Sequence, residues 1–434
     1  MPWLSIRRWH KRLLLVGAAL FAGLIAIGFA LGADTAIEIH SHIMKERPWL
    51  TLLVAPAGFA AVAWISRRFF PGTEGSGIPQ AIAASQSDDR RVRRQFLSLR
   101  IALAKVVLTL GGLLSGASIG REGPSVQVGA SVMHMLAKRR RIASSRDLIV
   151  AGSGAGIAAA FNTPLGGIMF AIEEMCRHRV FQANSTTLTA VIFAGLMSLA
   201  VLGNYTYFGR TPAALSWPDG IWPVLACGIA GGLLGGGFSR LLIASVRGLP
   251  GRLGAFAQSR PVAFAAACGL ATGIIGLASG GITYGTGYAE SKAALEASAA
   301  LPMLFFAMKL AVIWLAFVSR IPGGIFAPAL AVGAGLGSDI AALLPGGTEV
   351  DAAIMVLGMV AFLAAMTQTP ITSFVIVMEM TANHEMLLPL MATAVVAHGV
   401  SRSVAPVPLY HALAYPMLRR AEGRVSPAAP AKDA

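Results

Sequence analysis

The chain has 434 residues, 55% of them hydrophobic and only 13% charged, about half the charge of an ordinary soluble domain. The net charge of +15 does not imply a nucleic-acid partner, because the basic residues cluster at Arg7/Arg8/Lys11/Arg12, Arg67/Arg68, Arg90–Arg94, Lys138–Arg141 and Arg419/Arg420, at the ends of apolar segments, where Lys and Arg set membrane topology and meet anionic lipid. The cysteines Cys176, Cys227 and Cys268 lack metal-type spacing and read as small apolar packing residues, so neither a disulfide framework, a metal site nor a cofactor is expected.

Leu13–Ala33 is free of charge and long enough to cross about 30 Å of hydrocarbon. It is too long, and followed by too much similar sequence, to be only a cleaved signal peptide. Further apolar segments lie near 49–66, 101–137, 148–172, 180–205, 220–245, 261–285, 301–318, 321–345, 352–378 and 385–400. The expected fold is therefore all-α and polytopic, in the inner cell membrane. Both termini are basic, which predicts that both are cytoplasmic and that the number of crossings is even. The transmembrane domain is expected over 1–418, followed by a short Pro/Ala-rich, disordered tail over 419–434.

Within the third segment, Gly120-Arg121-Glu122-Gly123-Pro124 places two charges in membrane-type sequence, at roughly 2.5–3.5 kcal/mol for each charge at a helix centre. The flanking stretches Val106–Gly120 and Gly123–Ala137 are each too short to span, at roughly 22 Å. Gly323-Gly324 and Pro328 interrupt a later segment in the same way. Broken or re-entrant helices of this kind are tolerated where they line a protein cavity. Pro124 suits the first position of a helix. The free N–H groups and partial positive charge of a helix start favour an anion. Glu122 thus puts a carboxylate where a free anion would also sit.

The chain also repeats itself. Gly120-x-x-x-Pro124 with Gly129-Ala130 is echoed by Gly324-x-x-x-Pro328 with Gly333-Ala334, an offset of 204. Thr163-Pro164 and Glu173 are echoed by Thr369-Pro370 and Glu379, an offset of 206, and Gly75-Ser76-Gly77 by Gly285-Thr286-Gly287, an offset of 210. Three ordered landmarks indicate a duplication with repeats of about 13–210 and 220–418. If the halves are inverted, the helices starting at Pro124 and Pro328 approach one centre from opposite sides.

These residues resemble the CLC chloride channel and transporter family, over about residues 15–418. The resemblance is carried by Gly75-Ser76-Gly77-Ile78-Pro79, Gly120-Arg121-Glu122-Gly123-Pro124 and Gly324-Ile325-Phe326-Ala327-Pro328, with Phe161-Asn162-Thr163-Pro164-Leu165 and Glu379-Met380-Thr381 also in place. It implies the CLC-type inverted repeat and a homodimer with one anion pathway per subunit. It further implies that chloride is held by the Ser76 and Tyr410 hydroxyls and the backbone N–H groups of Ile325 and Phe326. Glu122 would be the gating, external proton carboxylate, and Glu174 an internal proton glutamate. The implied activity is chloride/proton antiport, with a passive voltage- or pH-gated chloride channel as the alternative. Ser76 is the residue of chloride-preferring members, and fluoride is a poorer match to the first two motifs. Neutral donors suit chloride, because they replace its water without trapping it.

Glu174 has a second reading, as a helix-end residue that meets water or pairs with Arg177 or Arg179. Glu173 aligns with Glu379 and reads as repeat scaffolding. In Ser319-Arg320-Ile321-Pro322, just ahead of the third motif, Arg320 stands where the family has glycine, two residues before the proline; it would attract chloride, snorkel or partly close the pore. Gln80 replaces an acidic residue of related bacterial transporters, which would alter the charge of the cytoplasmic mouth. No regulatory cystathionine-β-synthase domains are expected after the last helix. Lys105 and Lys309, in apolar segments, are either buried partners of carboxylates or carbonyls, or snorkelling residues. His398 reads as a hydrogen-bonded interior residue. The glycines of Gly228–Gly236 read as close helix contacts. A remote alternative is an intramembrane serine hydrolase: Gly116-Ala117-Ser118-Ile119-Gly120 matches G-x-S-x-G, with His398 or His134 as base, but without the strand–turn–helix context which that motif needs.

Overall fold

A computed structural model describes residues 6–140, 143–177, 185–203, 206–209, 211, 213–216, 218, 220–344 and 346–423. The first half runs α1 (Ile6–Glu46), α2 (Thr51–Phe69), α3 (Ile78–Gln86), α4 (Arg90–Phe96), α5 (Leu99–Leu114), α6 (Glu122–Arg140), α7 (Ser145–Phe161), α8 (Pro164–Glu173) and α9 (Ser185–Leu202). The second half runs α10 (Ile221–Arg247), α11 (Gly251–Ser259), α12 (Pro261–Ala278), α13 (Tyr288–Leu295), α14 (Phe305–Val318), α15 (Phe326–Ala341), α16 (Thr348–Thr367), α17 (Pro370–Thr381), α18 (Leu387–Val404) and α19 (Leu409–Ala421). Among the described residues, eight helices are long and apolar enough to cross a membrane, and this is a multi-pass membrane protein.

The cores of the two halves match in their packing. α6 packs on α7 as α15 does on α16; α7 packs on α8 and α9 as α16 does on α17 and α18. α7 and α16 end at left-handed residues, Asn162 (φ 56°) and Gln368 (φ 59°), each followed by Thr-Pro. Both are apolar on every side, as fits helices surrounded by protein; from Ala352 to Thr367 every residue of α16 is buried.

Equivalent elements also meet each other. Gly120 and Gly324 exchange both backbone hydrogen bonds, at 2.6 and 2.7 Å, as an antiparallel pair. The Glu379 carboxylate, near the end of α17, accepts from Leu165 N–H (3.1 Å) and Gly166 N–H (2.7 Å) at the start of α8. In return Glu173, at the end of α8, accepts from Ile371 N–H (3.1 Å) and Thr372 N–H (2.6 Å) at the start of α17. The C-terminal end of each helix thus sits at the N-terminal end of the other, so α8 and α17 run antiparallel and a pseudo-twofold axis passes between them.

Three sequence expectations are corrected, and the open choice at Lys105 and Lys309 is decided. Helix α1 extends well beyond Leu13–Ala33, to 41 residues or about 60 Å, because Asp34 finds an ion-pair partner in Arg121 and does not end the helix. Pro124 and Pro328 stand at the third residue of α6 and α15, not the first; the whole first turn lacks intrahelical partners for its N–H groups, so proline forfeits no bond there. Lys105 and Lys309 do not snorkel. Both are fully buried: Lys105 donates to the Thr73 and Gly75 carbonyls (2.7 and 2.5 Å), and Lys309 to those of Thr283, Tyr284 and Gly285 (2.9, 3.1 and 3.0 Å). Finally, α19 runs on to Ala421, past the expected domain boundary at 418; residues 424–434 of the expected tail lie outside the described residues.

The Gly228–Gly236 glycines do sit at close helix contacts. A Cβ at Gly231 or Gly235 would strike Ala361 or Ala365 of α16, and one at Gly228 or Gly232 would strike Val396 or Val400 of α18. Cys227 and Cys268 are buried and Cys176 is half-buried, all with free thiols.

Candidate anion pathway

Four helix starts converge on one buried region: α3 after Gly75-Ser76-Gly77, α6 at Glu122, α15 at Phe326 and α19 at Leu409. Ser76 lies between two left-handed glycines, Gly75 (φ 68°) and Gly77 (φ 110°), which turn the chain sharply enough to aim the hydroxyl inward. Gln80 and Pro79 then start α3, with Gln80 Oε1 accepting from Gly77 N–H at 3.0 Å. Gln80 is 1% exposed, caps this helix and lines the cavity that reaches Ser76.

Ser76 is packed so tightly against Gly123 and Gly324 that a Cβ on Gly123 would collide with its hydroxyl. The buried Tyr410 hydroxyl, on the first turn of α19, faces that of Ser76. Among the described residues, neither hydroxyl completes a hydrogen bond. Ile325 and Phe326 begin α15, so their N–H groups have no intrahelical acceptor; the Phe326 ring stacks at 5.6 Å on Phe161. Glu122 is fully buried at the first residue of α6. Its carboxylate folds back over Gly120 and towards Ala327 N–H on α15, yet among the described residues neither oxygen completes a hydrogen bond. Buried polar atoms are rarely left unsatisfied. Here a hydroxyl pair and a carboxylate are left so together, among free N–H groups, which is the donor set an anion needs.

Arg121 does not point into this region. Its guanidinium donates to Asp34 (2.7 Å) and to the Ala30 carbonyl (2.6 Å), tying α6 to α1. A cavity of about 360 Å³, lined by Ser76, Glu74, Gln80, Arg320 and Arg420, leads from one face of the molecule to the Ser76 turn. Arg320 itself adopts a left-handed backbone (φ 59°), as does Gly116 (φ 81°), its equivalent at an offset of 204.

Glu174 caps the end of α8, 1% exposed and separate from the Ser76 cavity. Arg177 Nη2 lies 3.4 Å from its carboxylate and donates to the Gln368 carbonyl at 2.6 Å; Arg179 lies outside the described residues. His411 Nε2 is 3.8 Å from Glu174 Oε1 and 2.9 Å from the Glu174 carbonyl. Tyr410 and His411 are neighbours on α19, so one turn of helix links the Ser76 region to Glu174. A second cavity, of about 340 Å³ and lined by Glu173, Arg177, Gln368 and His398, opens beside it. His411 was not singled out from the sequence; its one signal is adjacency to Tyr410. Tyr207 was also missed. Its ring meets Phe161 edge-on (5.6 Å) and Tyr288 at a tilt (4.5 Å), and lies near Arg121 and Glu122.

The sequence profile of a family described as voltage gated chloride channel matches residues 58–402. The chain belongs to this family, the CLC proteins. It is similar to the H(+)/Cl(−) exchange transporter ClcA of Cronobacter sakazakii, at 33% identity over 411 residues, covering 90% of this chain and 86% of that one. Similarity to the protein of the same name from Citrobacter koseri is 31% over 412 residues, covering 89% and 84%. Among solved structures, a slow cyanobacterial Cl−/H+ antiporter superposes with a TM-score of 0.79 at 25% identity, covering 96% of this chain and 99% of that one. A CLC-type fluoride/proton antiporter shares the fold at 0.75 and 22% identity, covering 94% and 97%. CLC proteins are anion transporters and not enzymes, which displaces the hydrolase reading. The geometry agrees: the Ser118 hydroxyl donates to the Gly285 carbonyl at 3.2 Å and to no histidine, in a connector between two helices.

Proposed function

We propose that the chain exchanges chloride for protons across the inner membrane, as a homodimer with one anion pathway per subunit and both termini in the cytoplasm. The reading is carried by the unsatisfied Ser76 and Tyr410 hydroxyls and Glu122 carboxylate, gathered where α3, α6, α15 and α19 start. Chloride takes the two hydroxyls and the Ile325 and Phe326 N–H groups. These neutral donors hold it well enough to strip its water and loosely enough to release it. Glu122 competes for the upper part of the same path: charged, its carboxylate takes an anion's place, and protonated, it withdraws. Protons reach it by way of Glu174, which lies against Arg177 and His411, and Arg177 lines a cavity apart from that of Ser76. The names of the similar exchangers support the coupling.

The Arg177–Glu174 contact favours one rival. A glutamate held as a static ion pair would not relay protons, and the chain would then be a passive chloride channel. Proteoliposomes holding a chloride gradient distinguish the two. Uphill proton movement driven by chloride is expected from the natural chain. Glu122→Ala is expected to keep chloride flux while abolishing proton coupling, and Glu174→Gln to abolish coupling likewise. Normal proton pumping by both variants would falsify the relay.

A further inference from the structure

Arg320 occupies a place where the fold asks for glycine. Its backbone is left-handed at φ 59°, its counterpart in the other half is Gly116 at φ 81°, and such a conformation is strained for a residue with a Cβ. What the side chain does there is visible in its surroundings. It is exposed and forms part of the wall of two cavities, the one of about 360 Å³ that reaches Ser76 and another of about 480 Å³ shared with Arg67. Arg420, at the end of α19, lines the first cavity with it. Arg67 and Arg420 are the like charges that act on Arg320, and Glu74 is the one opposing charge.

Among the described residues, none of these three arginines has an ion pair or a side-chain hydrogen bond. Glu74 does not neutralise them, since its carboxylate turns back to accept from Gly72 N–H at 2.8 Å. Three unpaired guanidiniums, Arg420 and Arg320 on the wall of the Ser76 cavity and Arg67 beyond Arg320 on the wall of its neighbour, exceed what a single chloride needs. Their planar donor forks match the oxygens of phosphate-type anions, which they bind two bonds at a time.

We propose that Arg320, Arg67 and Arg420 form a binding site for a multivalent oxyanion of the phosphate class, seated across the mouth of the Ser76 route, and that its occupation blocks that route. Such an ion gains from all three charges, and it cannot go on through a passage whose donors are neutral and spaced for chloride. Chloride itself, held by one charge at a time, passes. The blocking half of the inference rests on the chloride route proposed above; the binding half does not.

Two measurements with inorganic pyrophosphate test it. Calorimetric titration of the purified full chain, in chloride-free buffer of fixed ionic strength, is expected to show binding that Arg320→Gly weakens tenfold or more and Arg320→Lys weakens less. Arg320→Gly restores glycine at a left-handed position, so the fold is not at risk. In phosphatidylcholine vesicles, which offer no anionic headgroup, pyrophosphate on both sides is expected to slow chloride efflux, and Arg320→Gly to need tenfold more for the same effect. Equal binding by the natural chain and Arg320→Gly, or none at millimolar pyrophosphate, overturns the site. Binding that leaves chloride efflux unchanged overturns the block. Absence of chloride efflux from the natural chain would count against the chloride reading, while calorimetry still decides the site.

Discussion

Lys105 and Lys309 each point a buried ammonium at backbone carbonyls of a glycine-flanked turn. Only one of the two turns carries Ser76. Replacing either lysine by methionine leaves buried carbonyls without a donor, at about 1–3 kcal/mol, so both Lys105→Met and Lys309→Met are expected to lower the midpoint of thermal unfolding. Chloride affinity separates them. Titration calorimetry is expected to show weakened chloride binding in Lys105→Met, whose lysine holds the Gly75 carbonyl, and near-normal binding in Lys309→Met. Equal weakening in both would mean that the Ser76 turn has no special place in the anion route. From sequence these lysines admitted two readings, because a single charge in an apolar run does not say whether it meets water or a carbonyl. The glycines around Ser76 were legible from the repeat and from the resemblance, whereas their left-handed backbone emerged only with the fold.

At the scale of elements, α8 and α17 cap each other through Glu379 and Glu173. Each carboxylate serves two first-turn N–H groups, a stronger form of the usual helix cap, whose loss costs about 1–2 kcal/mol. Glu173→Gln and Glu379→Gln are therefore expected to lose similar stability in denaturant titrations and to retain proton coupling in vesicles. Glu174→Gln is expected to do the reverse, losing coupling with little change in stability. Loss of coupling in Glu379→Gln would show that the pair does more than hold the halves together. The duplication, the breaks before α6 and α15, and the scaffold character of Glu173 could all be read from spacing. Reciprocal capping could not, because its partners are about 200 residues apart and only the fold brings them together. His411 escaped notice for the same reason: its relation to Glu174 crosses 237 positions.

For the whole molecule, the ends of α2 and α19 lie together, as Arg67 and Arg420 share Arg320 as a neighbour. Helix α1 starts on the side where α2 finishes, which puts the start of α1 and the end of α19 on one face. Cysteines placed at the exposed positions Arg12 and Arg420, in a Cys176→Ala chain whose other two cysteines are buried, are expected to react with a membrane-impermeant thiol reagent only from the cytoplasmic side. Labelling of the two from opposite sides would break the topology.

The crossed glutamates also govern the order of assembly. Helix α8 leaves the ribosome roughly 200 residues before the carboxylate that completes its first turn, at about 5–20 residues per second during synthesis. For that interval the amino-terminal portion lies in the bilayer with polar backbone facing no partner, a state that hydrocarbon penalises. Maturation must therefore wait for the last third of the polypeptide, and a nascent chain released before Glu379 is emitted has no way to finish its own beginning.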